Sequence, residues 1–218
     1  MKERYQILYR GGSGELIEKK SRFIATLRPV HTEEEAIGFI EEMKKNYWDA
    51  SHNCYAWVLG STGQQQRCSD DGEPSQTAGR PMLDVLLGAQ ICDVCVVVTR
   101  YFGGTLLETG GLVRAYQGAV QEGLKACQVV TKQLGRKYLI TTDYNGIGKI
   151  QYLLAEQRIT VLNTDYTDRV VVMALVPVAE ADRLVKNVTE VTSGRAGIEA
   201  AGDVYYGMLG KEVLLFEE

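Results

Sequence analysis

The second half of the chain alternates between the hydrophobic period of a strand and that of a helix. A two-residue period predicts a strand at residues 137–143, and Asn145 and Gly146 then open a helix. A later helix is predicted to end at Ser193 and Gly194. The predicted elements are a strand at 137–143, a helix with Ile147, Ile150, Leu153 and Leu154 on one face, strands at 158–165 and 169–176, a helix with Ala181, Leu184, Val185, Val188 and Val191 on one face, and a strand at 198–206. This β-α-β-β-α-β order predicts a ferredoxin-like domain.

The first half predicts a mixture of strands and helices. Thr32 is predicted to cap a helix at residues 33–47, with Glu35 as its capping-box partner. The further predicted elements are strands at 5–9 and 16–27, a hairpin of 53–59 with 66–69, a short helix around Pro81, a buried strand at 93–101 and a helix at 109–126. The predicted inner faces of the three helices carry Ala36, Ile37, Ile40 and Met43, then Met82, Val85 and Leu86, then Leu112, Tyr116, Ala119, Val120 and Leu124. We therefore expect two domains, residues 1–131 and 132–218.

Composition narrows the class of protein. The 218 residues carry a net charge of −4, with 14 basic and 16 acidic residues up to Thr131 and 10 and 12 after it, so each part carries −2. Such a charge excludes nucleic-acid binding by a general basic field, and any RNA contact would need a local patch. No apolar run is long enough for a bilayer and the start does not resemble a signal peptide, which predicts a cytoplasmic protein without a membrane partner. In that compartment the five cysteines are expected to be free thiols.

One acidic loop, residues 69–81, is a candidate site. Asp70, Asp71 and Glu73 lie within four positions, and Arg80 follows before the short helix. Clustered carboxylates suit a hard cation such as Mg²⁺, the one cofactor that this sequence suggests. In the other interpretation no cofactor binds, the acidic side chains bond to nearby backbone and Gly72 provides a turn.

A glycine-containing loop follows the buried strand. Gly103 and Gly104 come after the strand, and Gly110 and Gly111 lie at the start of the next helix. Glycines allow backbone N–H groups to approach an anion, and Arg100 and Arg114 flank the loop as a candidate phosphate clamp. The loop lacks the Lys-Ser/Thr ending of a Walker motif. A tight packing turn with solvated arginines is the alternative.

A small basic cluster at residues 19–23 contains the candidate binding residues Lys20 and Arg22. Such a cluster is either a solvated strand edge or part of a surface that includes Arg100 and Arg114. Catalytic groups are scarce, because neither of the two histidines lies in a known hydrolase motif. No catalytic residue is therefore predicted, and a non-catalytic binding role is favoured over an enzyme.

These stretches together resemble the IMPACT/YigZ family. The matching segments are Lys-Lys-Ser-Arg-Phe-Ile-Ala at 19–25, Ala-Ser-His-Asn-Cys-Tyr-Ala at 50–56, Ser-Asp-Asp-Gly-Glu-Pro at 69–74, Thr-Ala-Gly-Arg-Pro at 77–81, Val-Val-Thr-Arg-Tyr-Phe-Gly-Gly at 97–104 and Gly-Gly-Leu-Val-Arg-Ala-Tyr at 110–116. The C-terminal part is similar to the last domain of elongation factor G. Gln76 and Glu108 depart from the family pattern, which has glycine at both positions.

The resemblance implies an α+β fold, in which a ribosomal protein S5 domain 2-like sandwich precedes the ferredoxin-like domain. Eukaryotic relatives regulate translation by competing for a ribosome-associated activator of a kinase. The expected partner is RNA, the ribosome or a translation-related protein, without DNA sequence specificity. The alternative function is an enzyme that binds a phosphorylated small molecule or nucleotide through residues 103–111, a chemistry that the fold supports only by analogy.

Overall fold

The computed structural model of the protein describes residues 2–216 and divides into two compact units between Thr131 and Lys132. Each unit contains strands and helices. Within residues 2–216, no helix combines the length and the apolar character needed to cross a bilayer.

The first unit is built on a five-stranded antiparallel sheet. The strands of this unit are β1 (Arg4–Arg10), β2 (Gly12–Glu18), β3 (Ser21–Pro29), β4 (His52–Leu59), β5 (Gln65–Ser69), β6 (Ile91–Cys92) and β7 (Val94–Tyr101). The sheet order is β2-β3-β7-β4-β5, and β1 pairs with β6 in parallel. Strand β7 lies in the middle of the five, which explains its almost uninterrupted apolar sequence.

Three helices cover the two faces of this sheet: α1 (Glu33–Asn46), α2 (Gly79–Gly88) and α3 (Thr109–Lys125). Helix α1 packs on the face that carries Cys95 and Val97 of β7. Because side chains alternate along a strand, Arg100 of β7 lies on the other face, where Tyr116 of α3 packs edge-on against Phe23. This arrangement is the ribosomal protein S5 domain 2-like sandwich.

The predicted single strand at 16–27 is wrong, because a turn divides it into β2 and β3. Lys19 and Lys20 occupy the turn with φ angles of 45° and 66°. Positive φ at both central residues matches the twist of a two-residue hairpin, although asparagine and glycine are the usual occupants. Two lysines gave no turn signal in the sequence. The hairpin tip therefore consists of two exposed basic residues.

The second unit has the predicted β-α-β-β-α-β order. Its elements are β8 (Gln128–Thr142), which begins in the first unit, then α4 (Ile147–Glu156), β9 (Thr160–Tyr166), β10 (Val170–Pro177), α5 (Ala181–Thr192), β11 (Gly197–Leu209) and β12 (Glu212–Phe216). The antiparallel sheet order β11-β8-β10-β9 is that of a ferredoxin-like domain. Strand β12 was not predicted, and it extends the sheet by pairing with β11.

The core of the second unit follows the predicted helical and strand periods. Ile150 and Leu154 of α4 and Leu184 and Val188 of α5 are buried against Ile140 on the sheet. Helix α5 ends where expected, since Ser193 adopts the left-handed conformation that commonly terminates a helix. In the first unit, Phe39 is buried in place of the predicted Ile37, which stays partly exposed on α1.

The cap of α1 can be tested directly. The Thr32 side chain accepts a hydrogen bond from the Glu35 backbone N–H group, and the Glu35 carboxylate accepts one from the His31 N–H group. We expect Thr32→Ala to lower the free energy of unfolding by about 1 kcal/mol, measured by urea denaturation. Thr105→Ala, at an exposed position in a bend, is the control. Equal effects of the two substitutions would contradict the capping role.

Candidate functional site

The candidate site centres on a buried ion pair in the first unit. The Arg100 Nη1 atom lies 2.6 Å from Glu73 Oε1, and the two side chains are only 7% and 3% exposed. Arg100 belongs to the central strand β7, whereas Glu73 belongs to the loop between β5 and α2. A buried charge is tolerated only when it is paired and hydrogen-bonded, so each side chain fixes the position of the other.

Further hydrogen bonds surround the pair. The Tyr116 hydroxyl donates to Glu73 Oε1 at 2.7 Å, while Ser21 Oγ accepts from Arg100 Nη2 at 3.4 Å and from the Gly103 N–H group at 3.2 Å. Burial raises the pKa of Tyr116, and it also raises the pKa of the Cys54 thiol, which donates to the Asp70 carbonyl oxygen. Both groups therefore remain protonated at neutral pH, and neither is an activated nucleophile.

The guanidinium of Arg100 also lies close to two aromatic rings. Its Cζ atom is 5.3 Å from the ring centroid of Phe23 and 5.8 Å from that of Phe102. The Nε–H group of Arg100 is buried and has no hydrogen-bond acceptor within residues 2–216. A buried donor without a partner costs about 1–3 kcal/mol, so stability alone does not explain an arginine at this position.

The three carboxylates of the acidic loop bind three separate sets of partners. Asp70 accepts backbone hydrogen bonds at 2.9–3.0 Å from Gln76, Ala78 and Gly79. Asp71 instead accepts from the Asn53 N–H group and pairs with Lys44.

The Mg²⁺ interpretation therefore lacks a ligand set. Because the loop carboxylates are directed to different partners, they do not converge on one point. Within residues 2–216, no three His, Cys, Asp or Glu side chains are placed to hold a metal ion. The acidic loop is ordered by its own backbone and by the start of α2.

His52 links the loop to the ion pair. Its Nδ1 atom lies 2.9 Å from the Asp71 carbonyl oxygen, and its Nε2 atom lies 3.9 Å from Glu73 Oε2. A carbonyl oxygen can only accept, so Nδ1 carries the hydrogen. In the neutral ring Nε2 is then an acceptor directed toward the carboxylate.

A cleft of about 430 Å³ opens above this network, a volume within the usual range for sites of small ligands. His52, Glu73 and Arg100 contribute its polar floor. The remaining lining residues are Ser51, Gly72, Pro74, Phe102, Leu106, Leu107 and Leu112. Phe102 and Leu106 stand at the rim with 50% and 83% of their surface exposed. The cleft thus combines a polar floor with an apolar, partly aromatic rim.

The glycines of the predicted anion loop have mainly structural roles. A Cβ atom at Gly103 would overlap the backbone of Lys20, so this glycine allows the loop to pack against the hairpin tip. Gly104 supplies a positive φ of 83°. Gly110 and Gly111 lie in the first turn of α3, beside the side chains of Arg114 and Leu107 respectively. These contacts correspond to the packing-turn interpretation.

The predicted basic residues are not all available to a ligand. Arg22 forms a bidentate pair with Glu15 at 2.7 and 2.9 Å, and Arg80 pairs with Asp84. Lys20 and Arg114 are exposed and form no ion pair within the described chain. Lys20 lies beside Gly103 and Arg114 beside Gly110. The two uncommitted cations therefore flank the loop that carries Phe102 and Leu106.

Sequence reasoning did not assign several residues of this site. Tyr116 was placed in the core of α3, and its hydroxyl bond to Glu73 was not foreseen. Ser21 and Phe102 occur in the basic cluster and the glycine-containing loop, but neither was named as a site residue, and His52 was considered only as a possible partner of a cysteine. Leu106 gave no signal, since an isolated leucine in a loop carries no pattern.

The two departures from the family pattern have different consequences. Gln76 has a φ of 63°, a conformation that glycine adopts without strain and a larger residue does not. Glu108 has an ordinary φ of −67° at the N-cap of α3, where its carbonyl oxygen accepts from the N–H groups of Gly111 and Leu112. Only the glutamine is therefore strained.

Comparison with known proteins relates this geometry to a family. A model of the Impact N-terminal domain matches residues 19–124, which include the cleft, and a domain of unknown function (DUF1949) matches residues 140–195. The chain is 42% identical over 202 residues to "IMPACT family member YvyE" of Bacillus subtilis, covering 93% of each protein. It is 39% identical over 164 residues to "IMPACT family member YigZ" of Escherichia coli, covering 74% of this chain and 80% of the relative. A crystal structure of a hypothetical protein matches with a TM-score of 0.59 and 34% identity, covering 93% of this chain and 99% of that one.

The buried ion pair predicts a large effect of removing one partner. Glu73→Ala would leave the Arg100 charge buried without its carboxylate, and we expect the free energy of unfolding to fall by about 3–5 kcal/mol. The control is Glu15→Ala, which removes an exposed pair with Arg22 and should have a small fraction of that effect. Urea denaturation of both variants measures the difference. Equal losses would show that the Glu73–Arg100 pair does not hold the site together.

The raised pKa values of Tyr116 and Cys54 predict a loss of stability at alkaline pH. Above pH values of about 8.5 for a thiol and about 10 for a phenol, the unfolded chain releases protons that the folded chain retains. The free energy of unfolding should therefore decrease from pH 8 to 11, which denaturant melts at several pH values measure. Tyr116→Phe should weaken the dependence above pH 10, whereas Tyr152→Phe, at an exposed position, should not. Identical slopes in the two variants would contradict this assignment.

Proposed function

The chain belongs to the IMPACT family, and from this premise we propose that it is a cytosolic translation-associated regulatory factor that binds the translation machinery. The cleft over Glu73 and Arg100 in the Impact N-terminal domain is the proposed binding site. The observation that supports the proposal is the burial of Arg100 at the floor of an open cleft. This burial is unfavourable in free energy, because the Nε–H group has no hydrogen-bond acceptor within residues 2–216. Costly buried charges in clefts are typical of functional sites.

The hydrogen bonds and the protonation of the polar groups favour binding over catalysis. Glu73 is engaged by Arg100 and Tyr116, and the raised pKa of Cys54 keeps its thiol protonated. A covalent mechanism needs a nucleophile activated by a neighbouring base or a lowered pKa, and Cys54 has neither, since its thiol donates to the Asp70 carbonyl oxygen and the Tyr116 hydroxyl.

The alternative function, an enzyme with a phosphorylated substrate held by residues 103–111, has less support from the geometry. Gly103 is committed to packing against Lys20, and Glu108 places a negative charge at the start of α3. The floor of the cleft pairs one positive with one negative side chain, so it offers no net charge to a phosphate.

The proposed contact surface consists of Lys20, Arg114, Phe102 and Leu106, all exposed around the loop after β7. Arg22 and Arg80 are less suited to it because each is already paired with a carboxylate. Electrostatic attraction by two exposed cations would make the association sensitive to salt.

Co-sedimentation of the full chain with ribosomes on sucrose gradients tests the proposal. We expect the protein to migrate with a ribosomal fraction at low salt and to dissociate as salt is raised. Lys20→Glu/Arg114→Glu should abolish the association, because it reverses both uncommitted charges. The matched control is Lys45→Glu/Lys186→Glu, which changes the net charge equally at exposed positions outside the proposed surface. A wild-type protein that remains at the top of the gradient at every salt concentration would refute the proposal.

A further inference from the structure

We infer that the cleft over Glu73 and Arg100 accepts one uncharged nucleobase of single-stranded RNA, while Lys20 and Arg114 contact the adjacent phosphates. This inference rests on the proposed function and names the ligand class of the same site. It follows from the charge of the floor, the hydrogen-bonding groups there, and the nature of the rim.

The paired charges in the floor of the cleft favour an uncharged ligand group. Arg100 and Glu73 neutralise each other at 2.6 Å. A phosphate or carboxylate entering the cleft would lose its hydration and meet Glu73 as well as Arg100. A neutral group avoids that electrostatic cost.

The hydrogen-bonding groups in the floor favour a ligand with a polar edge. Arg100 can only donate, and the Glu73 carboxylate can only accept. An aliphatic side chain of a protein partner would cover these groups without satisfying them, which is unfavourable. Every nucleobase carries donors and acceptors on one edge and can satisfy both kinds of group.

The rim fits a stacked base with a phosphate on either side. The ring of Phe102 lies 5.8 Å from the guanidinium of Arg100 and is half exposed, so an incoming base can stack against its open side. Leu106 adds exposed apolar surface beside it. Stacking on an aromatic residue next to isolated cations is the usual way of holding single-stranded RNA. The two cations lie beside the loop and not in the floor of the cleft. A chain of phosphates that passes over the cleft would require cations in these positions.

Amide chemical shifts of the ¹⁵N-labelled full chain locate the ligand. We expect adenosine and uridine, which carry no phosphate, to shift the amides of Gly72, Glu73, Phe102 and Leu106. Sodium phosphate at matched ionic strength should leave these four amides unchanged. Shifts there with phosphate and none with either nucleoside would overturn the inference, because the cleft would then be an anion site.

Fluorescence anisotropy with labelled 12-nucleotide oligo(U) and oligo(A) tests the division between base and phosphate contacts. Phe102→Ala/Leu106→Ala should weaken binding at least about fivefold with an unchanged salt dependence, since stacking carries no charge. Lys20→Glu/Arg114→Glu should also weaken it and make the log–log salt slope shallower by about 1.4, the value for two phosphates of a single strand. Ile37→Ala is the control, because Ile37 is partly exposed on α1 at the opposite face of the sheet.

Two further outcomes separate this inference from the proposed function. Ribosome association by a wild-type protein that binds neither oligonucleotide would overturn the base site and indicate a protein partner on the ribosome. Oligonucleotide binding that depends on Phe102, without ribosome association, would support the base site and refute the proposed function. Equal affinity for a 12-base-pair RNA duplex would also overturn the inference, since paired bases cannot enter the cleft.

Discussion

The ion pair between Arg100 and Glu73 is the constraint on which the first unit's functional face depends. Neither charge could remain in the interior alone, so the β7 strand and the loop after β5 must both be in place before either is stable. Tyr116 and Ser21 add the α3 helix and the start of β3 to the same network. Four segments that are distant in sequence thus meet at one point, and the cleft exists only where they meet.

The architecture was largely accessible from the sequence, because hydrophobic periods report which side of an element is buried. The helices of the ferredoxin-like unit were predicted for that reason, whereas the cap at Thr32 was predicted from its capping-box spacing to Glu35. The hairpin turn was not, since Lys19 and Lys20 adopt positive φ without the usual turn residues. Strand β12 lacked a clear alternation of its own, and it is defined by its pairing with β11.

The candidate site was accessible only in part. Composition identified the acidic loop, the glycine loop and their arginines. It does not predict which charged side chains form ion pairs with one another. Arg100 was interpreted either as part of a phosphate clamp or as a solvated arginine, whereas its position on a central strand directs it toward α3, where Glu73 reaches it. The pairing joins residues 27 positions apart, so no local pattern encodes it. The apolar rim, which combines Phe102 with Leu106, likewise exists only in three dimensions.

The hairpin tip at Lys19 and Lys20 makes the cleft dependent on the integrity of one exposed turn. Loop tips with exposed polar residues are preferred sites of proteolytic cleavage, and trypsin-like proteases cut after lysine. A cut there would free the backbone against which Gly103 rests, and it would loosen the support of the loop that carries Phe102. The chain would thus lose its candidate site through one peptide bond while the sheets remain paired, and limited digestion would separate an effect on binding from an effect on folding.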